Sequence, residues 1–135
     1  MIDIKTMYQD VWNVVNGICD KTYLRSRPES VDEQLNSYIV VELPYTIYNN
    51  EIDDSGAYND YSTTVQLGVY VRDKMSARHF NEFNINEMDK KVKLVLEKLP
   101  IFTEKIAVTK PRITIQAEDG NGFGITIIQC SLRTR

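Results

Sequence analysis

"STTVQLGVYVR", Ser62 to Arg72, alternates apolar and polar residues more regularly than any other part of the chain. Successive side chains of a strand point to opposite faces, so Val65, Leu67, Val69 and Val71 share one side. Gln66, Gly68, Tyr70 and Arg72 share the other. A strand with one dry and one wet face belongs to an antiparallel sheet covered on one side only. The rest of the sequence is read outward from that strand.

Upstream, Ser37 to Leu43 alternates in the same way, with Ile39, Val41 and Leu43 opposed to Tyr38, Val40 and Glu42. Between the two runs lies "PYTIYNNEIDDSGAYNDYS", Pro44 to Ser62, an acidic and tyrosine-rich excursion that reads as a long loop. Such loops are uncommon in small domains and tend to carry function. Tyrosine covers apolar area, keeps a hydrogen-bonding end and loses little rotamer freedom, which suits an interface. The expectation is a loop ordered by a neighbouring protein chain.

Nearer the N-terminus, Ile4, Met7, Tyr8, Val11, Trp12, Val14, Val15 and Ile18 recur at spacings of three and four, which predicts a helix from Asp3 to about Cys19 with Asp3 as its cap. Downstream, Ile85, Met88, Val92, Val95, Leu96 and Leu99 form a second stripe. Asn84 with Glu87 reads as its cap and Pro100 as its stop. Ile106 and Val108 give a short strand or its lead-in, and Pro111 marks an edge or bend. Arg112–Glu118 and Phe123–Arg133 alternate again, joined by a tight turn at Asp119–Gly122. The reading is one domain over residues 1–135 in the α+β class. It is a twisted antiparallel sheet of about four strands with two helices on one face, in the order α-β-β-α-β-β, with a long loop between the first two strands.

Composition narrows the function. With 42% hydrophobic and 26% charged residues among 135, the chain is of globular type, and its apolar runs are too short to cross a bilayer. Met1–Lys5 lacks the basic and apolar regions of a signal peptide, so synthesis and use in a cytosol are expected. Cys19 and Cys130 form no C-x-x-C and are expected as buried, reduced thiols. His79 is the one imidazole, no strained nucleophile turn surrounds it, and a loop role is expected. Glu51–Gly56 resembles the start of an EF-hand loop, but Ser62 stands where the bidentate Glu belongs, and strands flank the segment. Gly120, Gly122 and Gly124 lie in a hairpin, not between a strand and a phosphate-holding helix. Arg25 and Arg27 read as solvated charges. The tyrosines of the excursion are interleaved with acids and not with bases, unlike a single-strand nucleic-acid platform. No enzyme, metal or cofactor is expected.

A net charge of −3 is weak, but its distribution is uneven. Glu51, Asp53, Asp54 and Asp60 occupy a stretch without Lys or Arg, whereas Lys105, Lys110, Arg112, Arg133 and Arg135 make the C-terminal third basic. The candidate subunit interface is therefore Tyr45, Tyr48, Glu51, Asp53, Asp54, Tyr58 and Asp60 on one side, with Lys110, Arg112 and Arg133 on the other. The competing readings are a solvated surface of mixed sign and a hairpin extension without a role.

The layout is similar to that of the tail-terminator or tail-completion proteins of tailed bacteriophages. The similarity rests on the N-terminal helix, the Arg27–Pro28 loop leading into Tyr38–Pro44, the excursion, Val65–Asp73, the capped helix ending at Leu99–Pro100, and the closing hairpin. It implies a non-enzymatic virion protein, made in the bacterial cytoplasm, that assembles as a ring, usually a hexamer, at the head–tail junction. Its partners would be copies of itself, the tail tube protein and the head-connector or neck proteins, with DNA passing through the opening and no membrane. Two other classes are a cytosolic α+β module that dimerises through a sheet edge and an enzyme with an unconventional pocket gathering His79 with acids.

Overall fold

The computed structural model describes residues 3–25, 35–43, 46–52, 56, 58–74, 82–116 and 122–134. Helix α1 spans Ile4–Val15, and its buried stripe is Met7, Val11 and Val15. Asp3 caps it, one carboxylate oxygen accepting the Thr6 amide at 3.1 Å, which satisfies one of the unpaired donors of the first turn. The chain then runs through β1 (Lys21–Leu24), β2 (Ser37–Glu42), β3 (Tyr48–Ile52) and β4 (Tyr58–Arg72). Helix α2 (Glu82–Glu97) follows, and then β5 (Ile101–Phe102), β6 (Ile106–Gln116) and β7 (Phe123–Thr134).

The described residues thus hold seven strands in one sheet, ordered β1-β2-β4-β7-β6-β5 with β3 also on β4. This corrects the expected sheet of about four strands and the order α-β-β-α-β-β. The sheet is mixed and not purely antiparallel, because β1 runs parallel to β2, Lys21 opposite Tyr38 and Leu24 opposite Val41.

The excursion from Pro44 to Ser62 is the larger correction. Both β2 and β3 lie antiparallel to β4: Ser37–Glu42 opposes Val71–Gln66, and Tyr48–Ile52 opposes Ser62–Tyr58. β2 ends with Glu42 opposite Gln66 and β3 begins with Tyr48 opposite Ser62, so the two pair with successive parts of β4. The sheet therefore continues through the excursion. Gly56, between β3 and β4 in the sequence, has a φ of 85°, which suits glycine. β7 pairs with β4 only over Ser62–Arg72, so the start of β4, from Tyr58 to Tyr61, which pairs with β3, extends past the end of β7.

Both helices cover one face, as the alternation of β4 requires. Met7, Val11 and Val15 of α1 and Val95 of α2 share a core with Ile39, Val41, Val65, Leu67, Val69, Ile128 and Leu132. Each such side chain contributes about 1.5–3 kcal/mol on burial. On the opposite face Leu35, Tyr38, Val40 and Phe123 form a smaller cluster flanked by Tyr23 and Tyr70.

Asn84 is not the cap expected of it. α2 begins at Glu82, and the Asn84 amide instead donates to the Val71 carbonyl at 2.8 Å and to the Asp73 carboxylate at 3.1 Å. It ties the helix to the end of β4. Gly124 leaves the room, since a Cβ there would lie 2.7 Å from the Asn84 side-chain nitrogen.

Candidate interaction site

On the face away from the helices the same alternation produces a polar row. Because Val65 and Leu67 point to the helices, Ser62 and Thr64 point away, and because Cys130 and Leu132 point inward, Gln129, Ser131 and Arg133 point out. Thr109 of β6 lies opposite Ser131 and joins them. These residues line an open groove of about 790 Å³, bounded at one end by Thr46 and Tyr48 at the root of the hairpin and at the other by Lys110 and Arg112.

A bulge builds the β6 end. Thr109 opposes Ser131 and Arg112 opposes Gln129, so β6 carries one extra residue there. In a regular strand positions 109 and 112 would face opposite ways; the extra residue returns Arg112 to the groove side. Lys110 takes up the irregularity with a φ of 57°, a left-handed conformation uncommon outside glycine and asparagine. Pro111 beside it has no amide to offer a ladder.

Arg133 is held by Asp60, with Nε donating to one carboxylate oxygen at 3.0 Å and a terminal nitrogen to the other. Lys110 and Arg112 are exposed, and neither makes an ion pair among the described residues. The groove therefore offers two cations that make no ion pair among the described residues, beside a wall of hydroxyls.

Of the residues singled out by sequence, Tyr48, Lys110, Arg112 and Arg133 line this groove, and Asp60 grips it through Arg133. Glu51 and Tyr58 lie on the two strands of the hairpin. Tyr45, Asp53 and Asp54 lie outside the described residues, as do Arg27 and His79. The acidic and basic stretches adjoin within one chain at Asp60–Arg133. Ser62, Thr64, Thr109 and Ser131 were not singled out; each reads as an ordinary solvent-side residue until the register places the four together.

A second surface is the outer edge of β6. β5 covers it only at Ala107 and Val108, and among the described residues no strand pairs beyond them. Residues Lys110–Ile115 are all exposed, with Ile113 at 48% and Ile115 at 80%. Both lie on the helix side of the sheet, since Ile113 opposes the core residue Ile128.

Cys19 and Cys130 are free, buried thiols. Burial pushes each up to about 11; for Cys19 a hydrogen bond from Ser37 opposes that effect. A thiol so raised is a poor nucleophile at neutral pH. Among the described residues no group of three or more His, Cys, Asp or Glu is placed to hold a metal ion, and no helix is long and apolar enough to cross a membrane. No protein-family model matches the chain, and no curated protein is detectably similar to it.

Proposed function

We propose that the chain is a structural subunit that works by assembling with copies of itself, as a ring at the head–tail junction of a phage or prophage particle, where it ends or completes the tail and lets DNA pass. It performs no chemistry in this role. The observation that supports the reading is the β6 edge, which no strand among the described residues covers beyond Ala107 and Val108 and which carries two exposed isoleucines. Natural sheets seldom leave such an edge uncovered unless another chain covers it. Where a different face of the neighbour fills that edge, the contact is heterologous, the kind that closes a ring. The phage setting comes from the similarity in layout and is an analogy of architecture.

The same edge supports a second reading, a two-fold dimer. Antiparallel pairing of β6 about Thr114 would set Ile113 against Ile115 and Arg112 against Gln116, with no like charges opposed. Solution mass and electron microscopy separate the two. A ring should appear with the wild-type chain, alone or with the tail tube protein, and the Ile113→Lys/Ile115→Lys variant should stay monomeric. A mass of two subunits selects the dimer. A chain monomeric under both conditions rules out both readings.

A further inference from the structure

We propose that the groove between the β6 bulge and the root of β3 is the socket for the acidic hairpin of a second copy of this chain. The inference rests on the self-assembly reading and deepens it by naming the site and its occupant.

Four observations support it. First, Lys110 and Arg112 stand at the groove mouth with no ion pair among the described residues. Second, Ser62, Thr64, Thr109 and Ser131 supply hydroxyls along its floor and side, and hydroxyl and cationic donors together are what carboxylates seek. Third, the segment Tyr48–Tyr58 carries Glu51, Asp53 and Asp54 and no Lys or Arg. Fourth, the start of β4, which pairs with β3, extends past the end of β7, and the root of this hairpin is pinned by Asp60 to Arg133 and by the Tyr61 amide to the Thr134 hydroxyl at 2.8 Å. A hairpin fixed at its base and extending past the adjoining strand is presented to a neighbour.

A single-stranded nucleic acid fits less well, because among the described residues Tyr48 is the one aromatic side chain in the lining, and a single ring gives no row on which successive bases could stack. Socket and hairpin are different surfaces of one chain, so each copy gives its hairpin to one neighbour and receives another's.

Charge reversal tests the assignment with the full chain. Lys110→Glu/Arg112→Glu reverses the socket, and Glu51→Lys/Asp53→Lys/Asp54→Lys reverses the hairpin; circular dichroism checks that each variant folds. Each variant alone should lose assembly, while an equal mixture should recover it, because a reversed hairpin then meets a reversed socket and a normal hairpin a normal one. A labelled peptide of residues 47–60 is the second probe. It should bind the wild-type chain, weaken as salt is raised, and bind the reversed socket about tenfold or more weakly. Single variants that assemble like wild type overturn the socket while leaving self-assembly intact. A wild-type chain that binds the peptide through Lys110 and Arg112 yet never assembles overturns the self-assembly reading and, with it, a second copy as the occupant. Absence of both behaviours overturns both.

Discussion

Arg133, near the end of β7, holds Asp60 near the start of β4 with two of its guanidinium nitrogens, one to each carboxylate oxygen. The strands pair from Ser62 opposite Arg133 onward, so Asp60 lies two residues beyond the last paired position of β4, and the contact fastens the hairpin to the sheet. Arg133 is 61% exposed and Asp60 19%, so solvent screens the pair and global stability should fall by at most about 1 kcal/mol in Arg133→Ala. The local effect should be larger. Hydrogen exchange of the Tyr48–Ile52 amides should speed up while that of Val65–Val71 is unchanged, because the pair acts at the base of the hairpin and not on the buried part of β4. Equal acceleration of both sets would mean that the pair does not act on the hairpin.

The bulge at Lys110 makes an opposite prediction. Its left-handed backbone costs a β-carbon-bearing residue about 1–2 kcal/mol, and glycine avoids that while losing about 0.5–1 kcal/mol through unfolded-state freedom. Lys110→Gly should therefore stabilise the isolated chain, by up to about 1 kcal/mol, in a urea titration. The same substitution removes a socket cation and should weaken peptide binding. A variant less stable than wild type would show that the Lys110 side chain contributes packing that outweighs the backbone strain.

Legibility in the sequence followed burial. The stripes of α1 and α2 and the alternation of β4 were readable because one face of each is dry and the period is unambiguous. β1 was not: Lys21–Leu24 is exposed at both ends and has no alternation, and its place comes from pairing with β2. β3 was hidden for a similar reason. Tyr48-Asn49-Asn50-Glu51 lacks β-branched residues, and β4, extended beyond β7, supplies the register that makes it a strand. Asn84 followed by Glu87 resembles a cap at the local level, but a tertiary partner, the end of β4, claims its side chain. Charge pointed to Lys110, Arg112 and Arg133, whereas the hydroxyls beside them come together only through the Thr64–Ser131–Thr109 register, which no single segment contains.

Gly68 and Tyr70 give a prediction about the face opposite the helices. Tyr70 lies directly across from Tyr38, and their rings stack with centroids 4.4 Å apart and planes 11° from parallel. A Cβ on Gly68 would come within 2.9 Å of the Tyr70 ring, so glycine is what lets the ring lie in place. Gly68→Ala should cost about 1–3 kcal/mol by displacing it. In a Tyr70→Ala background the same change should cost much less, a non-additivity that a double-mutant cycle measures directly. Additive losses would place the cost of the alanine somewhere other than the ring.

The two thiols predict an alkaline limit to stability. Both are raised by burial to about 11 from an ordinary 9.0, so the folded state holds these protons more tightly than the unfolded one. Their contribution is therefore complete below about pH 9 and is lost as pH rises through the folded-state value near 11, where the buried groups must ionise or the chain must open. Denaturant unfolding followed from about pH 8 to about pH 10.5 should show falling stability, and Cys130→Ala should reduce the slope although its stability at pH 8 is somewhat lower. Every other group is common to wild type and variant, so the difference between the two slopes isolates the thiol. Identical slopes would mean that Cys130 reaches solvent before it ionises and that its burial carries no linkage to folding.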